Sequence, residues 1–361
     1  KGSNMHTQHS RLDSHNYVIR DARENDIADV FALSYMLNTI NLPANKDELE
    51  HVISVSENSF SMMENDSTKR SFLFVLTDND DRVIGTSQIF AKHGTLACPH
   101  LYFQVDYDER YSETLKKYFR HRTLRLCQSL DGPTEIGSLV LDERYRGSTA
   151  KFGRSLSYVR FLFIAMKADI FSKTLLAELL PPLGPNFESA LWNAVGRKFT
   201  GLPYYEADIL SRNNKEFIKT LFPRKEIYVS LLPKAAQEVI GQVGRNSKGA
   251  AHLLAKIGFR YSHRVDPFDG GPHFEAEQND ISLVNDARHG RLSEIALSKD
   301  MTHSFGLAGR FLPHSSSGNR FKAVASSFYF DQDSNLVHLP VNIQELLGLK
   351  SGDPISVVKF D

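Results

Sequence analysis

The apolar positions along the chain change period several times, and each change marks an element. Residues 17–20 (YVIR) predict a short strand, and residues 26–37 place their apolar side chains at helical spacing. A second amphipathic helix is predicted over 47–62. Three strand-like runs follow: SFLFVLTD (71–78), RVIGTSQIFAK (82–92) and HLYFQVDY (100–107). The acidic turn Asn79-Asp80-Asp81 suits a hairpin between the first two. A fourth strand is predicted over 135–141. The chain then becomes charged and carries two glycines before a strongly apolar stretch over 155–171, the pattern of a largely buried helix. A strand over 173–180 stops at Pro181-Pro182, and helices are predicted over 188–198, 214–221, 234–243 and 248–257.

The pattern shifts after Ala287. From His303 onward it is strand-rich (FKAVASSFYFD, NLVHLPV, DPISVVKF), broken by turn signals such as Ser315-Ser316-Ser317-Gly318. The run LPVNIQELLGLKSGDPISVVKF resembles the strand–short helix–turn–strand units of small β-barrels. It lacks the basic stripe of a DNA-binding unit, so a packing role is expected. The expected division is an expression scar at 1–4 (KGSN), a main region at 5–287 and a small β-rich unit at 288–361.

Composition narrows the partners. The 361 residues hold 43 Lys+Arg and 43 Asp+Glu, a balance that argues against a polyanion-binding protein. No apolar run reaches the roughly 18 residues that predict a membrane span, and no signal peptide is visible. Cys98 and Cys127 are the only cysteines, which suits a reducing compartment rather than a disulfide framework. A soluble cytoplasmic protein is expected, with no nucleic-acid or membrane partner. The 14 histidines are dispersed and neither cysteine has a paired ligand spacing, so no metal site is expected.

The charged stretch LVLDERYRGSTAKFGRS (139–155) asks for an explanation. A helix N-terminus with unpaired N–H groups holds an anion well, and glycine lets the backbone come close to it. Gly147 and Gly153 would serve that purpose, while Arg146, Lys151 and Arg154 would add charge-assisted bonds. A plain surface loop with solvated charges fits the same residues. The order of elements matters more. Strands with a helix pair after the first, then a strand, a basic glycine loop and a long helix, is the build of acyl-CoA N-acyltransferases. In that build the loop takes the CoA pyrophosphate, and Leu139 and Leu141 lie on the strand whose backbone meets the pantetheine arm.

Nine segments sharpen the comparison. They are LPANKDELE (42–50), FLFVLTDNDDRVIG (72–85), EIGSLVLDERYR (135–146), VRFLFIA (159–165), AELL (177–180), SALWNAVGRKF (189–199), EADIL (206–210), EVIGQV (238–243) and GFRYSHRVDPFDGGPHFEAE (258–277). Over about residues 16–285 the chain resembles the arginine N-succinyltransferase family, and the β-rich tail has a counterpart there too. The resemblance implies an α+β, GNAT-like fold: a mixed sheet flanked by helices, with a small β-rich C-terminal extension. It implies transfer of a succinyl group from succinyl-CoA, as co-substrate, to the α-amine of L-arginine by direct attack, with no tightly bound cofactor. It also implies a homodimer. Leu139 matches the family position where backbone meets the acyl-CoA.

The chain departs from the family pattern in three places. Where the family reads V-H-P, with the histidine taken as proton donor, this chain reads Val243-Gly244-Arg245, and glycine has no side-chain proton to give. Restoring the histidine with Gly244→His tests whether the site is otherwise assembled. The family's A-E-M-R-G is Ala177-Glu178-Leu179-Leu180-Pro181 here, and the CoA loop is about two residues longer. Glu178 is the candidate catalytic residue, binding a cationic acceptor or taking its proton; a strand-end carboxylate is the plainer reading. His252 reads as a helix-surface residue, Trp192 as core, and His273 as a loop histidine at a position the family does not use. Asp266 and Asp269 in DPFDGG either receive a guanidinium or make turns. Two other functions remain open: an N-acyltransferase with a different acceptor or acyl group, and a non-catalytic CoA-binding member.

Overall fold

Most elements form where the apolar period puts them. The computed structural model describes residues 17–37, 42–185, 188–315 and 318–360; the expected scar at 1–4, and Ser316 and Ser317 of the expected turn, lie outside the described residues. In chain order the first strands are β1 (Val18–Asp21), β2 (Ser71–Thr77), β3 (Val83–Phe90), β4 (His100–Ser112) and β5 (Lys117–Ser129). Next come β6 (Thr134–Leu141), β7 (Thr174–Glu178), β8 (Ile227–Tyr228), β9 (Arg260–Val265) and β10 (Pro272–Glu277). The last five are β11 (Arg288–Leu292), β12 (Ser304–Phe311), β13 (Phe321–Asp331), β14 (Leu336–His338) and β15 (Pro354–Lys359). No described helix is long and apolar enough to cross a membrane.

The described residues fall into two compact units, and these do not follow the expected split at 287. The first takes its residues from 1–89, 138–168 and 283–361; the second from 90–137 and 169–282. In the first unit the strand order is β12-β15-β11-β14-β13-β1-β2-β3-β6, and β12 also pairs with β13. The last five strands therefore close on themselves as a small barrel around Leu292, Val324, Phe328, Val337 and Val357. This is the β-rich segment expected after Ala287. It groups with the N-terminal strands because β13 pairs antiparallel with β1, at Ile19↔Ala323 and Arg20↔Lys322.

Two helices follow β1. The helix α1 spans Ile27–Leu37, and α2 spans Lys46–Phe60. Asn45 starts α2 by accepting the Asp47 and Glu48 N–H groups on its side chain, which satisfies two of the donors a helix leaves open at its N-terminus. After β6 comes α3 (Phe152–Met166), buried along nearly its whole length as the uninterrupted apolar pattern requires. Phe163 packs against Phe60, Phe72, Phe74 and Phe321 at centroid distances of 4.8 to 5.5 Å. Burial lowers the pKa of Arg160, on the same helix, to about 9; its guanidinium donates to the Ser157 carbonyl and hydroxyl.

In the second unit the strand order is β6-β7-β10-β9-β4-β5-β8. The 13-residue β5 was not expected, because its mixture of charged and aromatic residues has no clean alternation and much of it faces water. The helix expected over 188–198 is two short helices, Ala190–Ala194 and Gly196–Thr200. They break at Val195 (φ −123°, ψ −74°), and the next residue, Gly196, lies so close under the Trp192 ring that any Cβ would collide. Trp192 itself is fully buried, stacks on Phe268 at 4.8 Å and donates its indole N–H to the Leu202 carbonyl, so the core reading of this residue holds.

Candidate functional site

The loop between β6 and α3 belongs to the first unit. Ser138 sits in the left-handed region (φ 48°), which costs a non-glycine residue roughly 1–2 kcal/mol. Three hydrogen bonds hold that corner of β2, β3 and β6 together. The Ser138 hydroxyl donates to Gln88 Oε1, the Gln88 amide donates to the Ser71 hydroxyl, and the Ser138 carbonyl accepts from Thr86. The distortion lies immediately before Leu139 and Leu141, both half-buried, with Val140 buried between them.

Beyond β6, Asp142 starts a short turn by accepting the Arg144 N–H at 3.0 Å, and the Arg146 guanidinium donates to the Leu141 carbonyl at 3.1 Å. Gly147 and Lys151 both have left-handed backbone, at φ 70° and 52°. Lys151 provides no side-chain cap, so the first N–H groups of α3 leave the helix end without an intrahelical partner. A Cβ on Gly153 would meet nothing nearer than Leu141 Cδ2 at 4.0 Å. Neither packing nor dihedral angle requires glycine there. One turn into the helix, the Ser155 hydroxyl is buried without a hydrogen-bond partner. The Arg154 guanidinium lies 5.8 Å from the centre of the Phe360 ring.

A second group of residues lies wholly in the second unit, around Glu178 at the end of β7. In the antiparallel register of β7 and β10, Glu178 is opposite His273. Its Oε1 is 3.1 Å from His100 Nε2, 3.4 Å from His273 Nε2 and 3.8 Å from His93 Nε2. His93 Nδ1 lies 2.7 Å from Glu135 Oε2, on β6. His100 and His273 are buried, and the side chains of His93 and Glu178 are about a quarter exposed (23% and 26%). The electrostatics follow from this packing. Burial lowers His100 to about 3 and His273 to about 4, so both are neutral imidazoles at neutral pH. Burial also acts to lower His93, but the Glu135 carboxylate outweighs it and leaves the pKa raised. Burial would raise Glu178; the surrounding imidazoles reverse that and hold it well below its ordinary value, hence ionised.

The loop carrying His93 is fixed by backbone. His93 N–H donates to the Pro133 carbonyl at 2.7 Å and Gly132 N–H to the Gly94 carbonyl at 3.2 Å. A Cβ on Gly132 would collide with the His93 carbonyl oxygen. Gly132→Ala is therefore expected to displace His93 and to cost about 2–3 kcal/mol of stability, read by denaturant unfolding. A variant as stable as the parent would contradict the contact.

The profile of a family described as arginine N-succinyltransferase beta subunit matches residues 17–283. The arginine N-succinyltransferase of Photorhabdus laumondii subsp. laumondii is 33% identical over 347 residues, covering 95% of this chain and 98% of that protein. This chain belongs to the arginine N-succinyltransferase family. A further relative, arginine N-succinyltransferase subunit beta of Pseudomonas aeruginosa, is 32% identical over 275 residues, 75% of this chain and 80% of that one. Among solved structures, arginine/ornithine succinyltransferase subunit AI from Pseudomonas aeruginosa matches with a TM-score of 0.80 and 27% identity, covering 96% and 99% of the two chains. The α+β fold expected from the sequence is the one observed, and it is shared with that succinyltransferase subunit. The arginine N-succinyltransferase family is one of acyl-CoA-dependent acyltransferases, so a CoA-linked co-substrate belongs to its chemistry.

Within that family the glycine at 244 takes on a structural meaning that spacing could not reveal. Gly244 N–H donates to the Leu180 carbonyl at 2.8 Å. A Cβ on Gly244 would lie 2.5 Å from the Pro181 carbonyl oxygen and 2.9 Å from that of Leu180. Main chain of residues 180–181 fills the space a side chain at 244 would need, so the two segments where the sequence departs from the family pattern lie against each other.

The other candidates separate cleanly. Asp266 Oδ1 accepts the Phe268 and Asp269 N–H groups, and Asp269 Oδ1 accepts that of Gly271, so both carboxylates make their own turn. Burial, Asp269 and Glu178 push Asp266 well above its ordinary pKa, and burial raises Asp269 to about 7 against the pull of the Gly271 N–H. His252 is exposed on the helix Lys248–Lys256. Cys98 and Cys127 are both free thiols. His93, His100 and Glu135 were not singled out from the sequence, since they sit at 93, 100 and 135 in no recognisable ligand spacing with 178 or 273.

Proposed function

We infer that this chain transfers a succinyl group from succinyl-CoA to the α-amine of L-arginine. The amine nitrogen attacks the thioester carbonyl carbon, a C–N bond forms, the C–S bond breaks, and CoA leaves as the thiol with the proton the amine gives up. The observation that carries this reading is the α3 N-terminus, uncapped and carrying at its second position a glycine, Gly153, that internal packing does not require. The N–H groups around Phe152 and Gly153, aided by the helix dipole, hold the CoA pyrophosphate. Arg146, Lys151 and Arg154 supply positive charge around it, and Gly147 gives the loop its left-handed turn. The backbone at Leu139 and Leu141, beyond the Ser138 distortion, meets the pantetheine arm. Glu178, an ionised carboxylate among imidazoles, holds positive charge on the acceptor side.

Gly153→Glu tests the assignment. The side chain has room, so folding is expected to survive, but a carboxylate now faces the phosphates. The KM for succinyl-CoA is expected to rise at least about 10-fold, as for loss of a charge-assisted anion contact, with the melting temperature unchanged. An unchanged KM would remove the pyrophosphate from this loop. A change of acceptor has its own support, because the departures at 180–181 and at 244 lie against each other beside the strand that carries Glu178. Assaying other amines beside L-arginine separates the two.

A further inference from the structure

We propose that His93, His100, His273 and Glu178 bind a divalent transition-metal ion of the zinc class. The four side chains come from the loop after β3, the first residue of β4, the end of β7 and the start of β10, and all belong to the second unit. Three imidazole Nε2 atoms face one carboxylate oxygen at 3.1, 3.4 and 3.8 Å. A tetrahedral zinc site with bonds of ~2.0–2.1 Å has ligand atoms about 3.3 Å apart. The ligand atoms of His93, His100 and Glu178 all lie within 4.8 Å of one another, and His273 Nε2 lies 3.4 Å from the same Glu178 oxygen, so a bound ion would draw in three donors with His273 as the fourth.

Two further observations point the same way. His273 is fully buried, yet neither ring nitrogen has a hydrogen-bond partner, so the ion-free arrangement leaves a polar ring unsatisfied. His93 is oriented by Glu135, whose oxygen lies 2.7 Å from Nδ1. A carboxylate on one ring nitrogen puts the proton there and leaves the lone pair on Nε2, which is how outer carboxylates orient metal-ligating histidines. Imidazoles with a single carboxylate favour Zn²⁺, Co²⁺ or Ni²⁺ over Mg²⁺ or Ca²⁺. The partial exposure of His93 and Glu178 provides the way in.

The test uses the full chain stripped with a chelator and titrated with Co²⁺ as the probe. One equivalent is expected to give the intense visible absorption of four-coordinate Co²⁺, displaced by one equivalent of Zn²⁺ and unaffected by excess Mg²⁺. Glu135→Gln is expected to weaken Co²⁺ binding about 10–100-fold with the stoichiometry retained, and His273→Gln to weaken it at least as much. Should the buried histidine variant not fold, the parent spectrum and Glu135→Gln still decide the matter. Absence of a four-coordinate spectrum, or an affinity indifferent to Glu135→Gln, would overturn the proposal. So would binding of L-arginine that depends on Glu178 in a chain that takes up no Co²⁺, since the cluster would then hold the substrate's own charge.

Discussion

Gly244→His is expected to destabilise the protein by about 3 kcal/mol and to leave CoA release no faster than in the parent. The family pattern makes this substitution look like a repair, because it restores the residue taken as the proton donor. The packing says otherwise. The new Cβ would lie 2.5 Å from the Pro181 carbonyl oxygen and 2.8 Å from its carbonyl carbon, and Gly244 N–H is already bonded to the Leu180 carbonyl. The obstacle is main chain, which cannot rotate aside as a flexible side chain can. An imidazole therefore has to displace the strand end that carries Glu178. Thermal unfolding and a thiol-release assay read the two effects. A stable variant with faster turnover would mean that the backbone yields and that the site was missing only its acid.

Glu178→Gln is expected to have the largest effect on turnover. It is expected to lower kcat by at least about 10²-fold, the lower end of the range for loss of a charged group acting at the reacting centre. Glutamine keeps the shape but removes the negative charge that three imidazoles surround. The KM for acyl-CoA is expected to stay within a few-fold, because the CoA contacts assigned here lie on the β6–α3 loop. Steady-state kinetics with each substrate varied in turn separate these terms. A Glu178→Gln enzyme with parent-like kcat would make the cluster structural and would move the acceptor site elsewhere.

The parts legible in the sequence are those encoded locally. The strand over 135–141, the glycine loop and the long apolar helix lie within about thirty residues, and their period and turn residues are enough to place them. The β6–α3 loop is legible for that reason, although the left-handed Lys151 and the bent Ser138 are not, since neither residue type favours positive φ. Glu178 stands out in its motif, but its environment does not. His93, His100 and His273 reach it through strand pairing across 180 residues of chain, and spacing rules for metal ligands report only neighbours in sequence. The same limit explains Gly244. Its missing side chain was visible, whereas the Pro181 carbonyl that fills the space comes from another segment. The long β5 is illegible for a different reason: much of it faces solvent, so it carries no burial pattern.

The most direct measurement is CoA release by the native chain with succinyl-CoA, in the presence and absence of L-arginine. Arginine-dependent release, with one N-succinylarginine formed per thiol, is the predicted result, and it would show that the family reaction runs with backbone in place of the family histidine. Tight binding of succinyl-CoA with no arginine-dependent release would contradict the account.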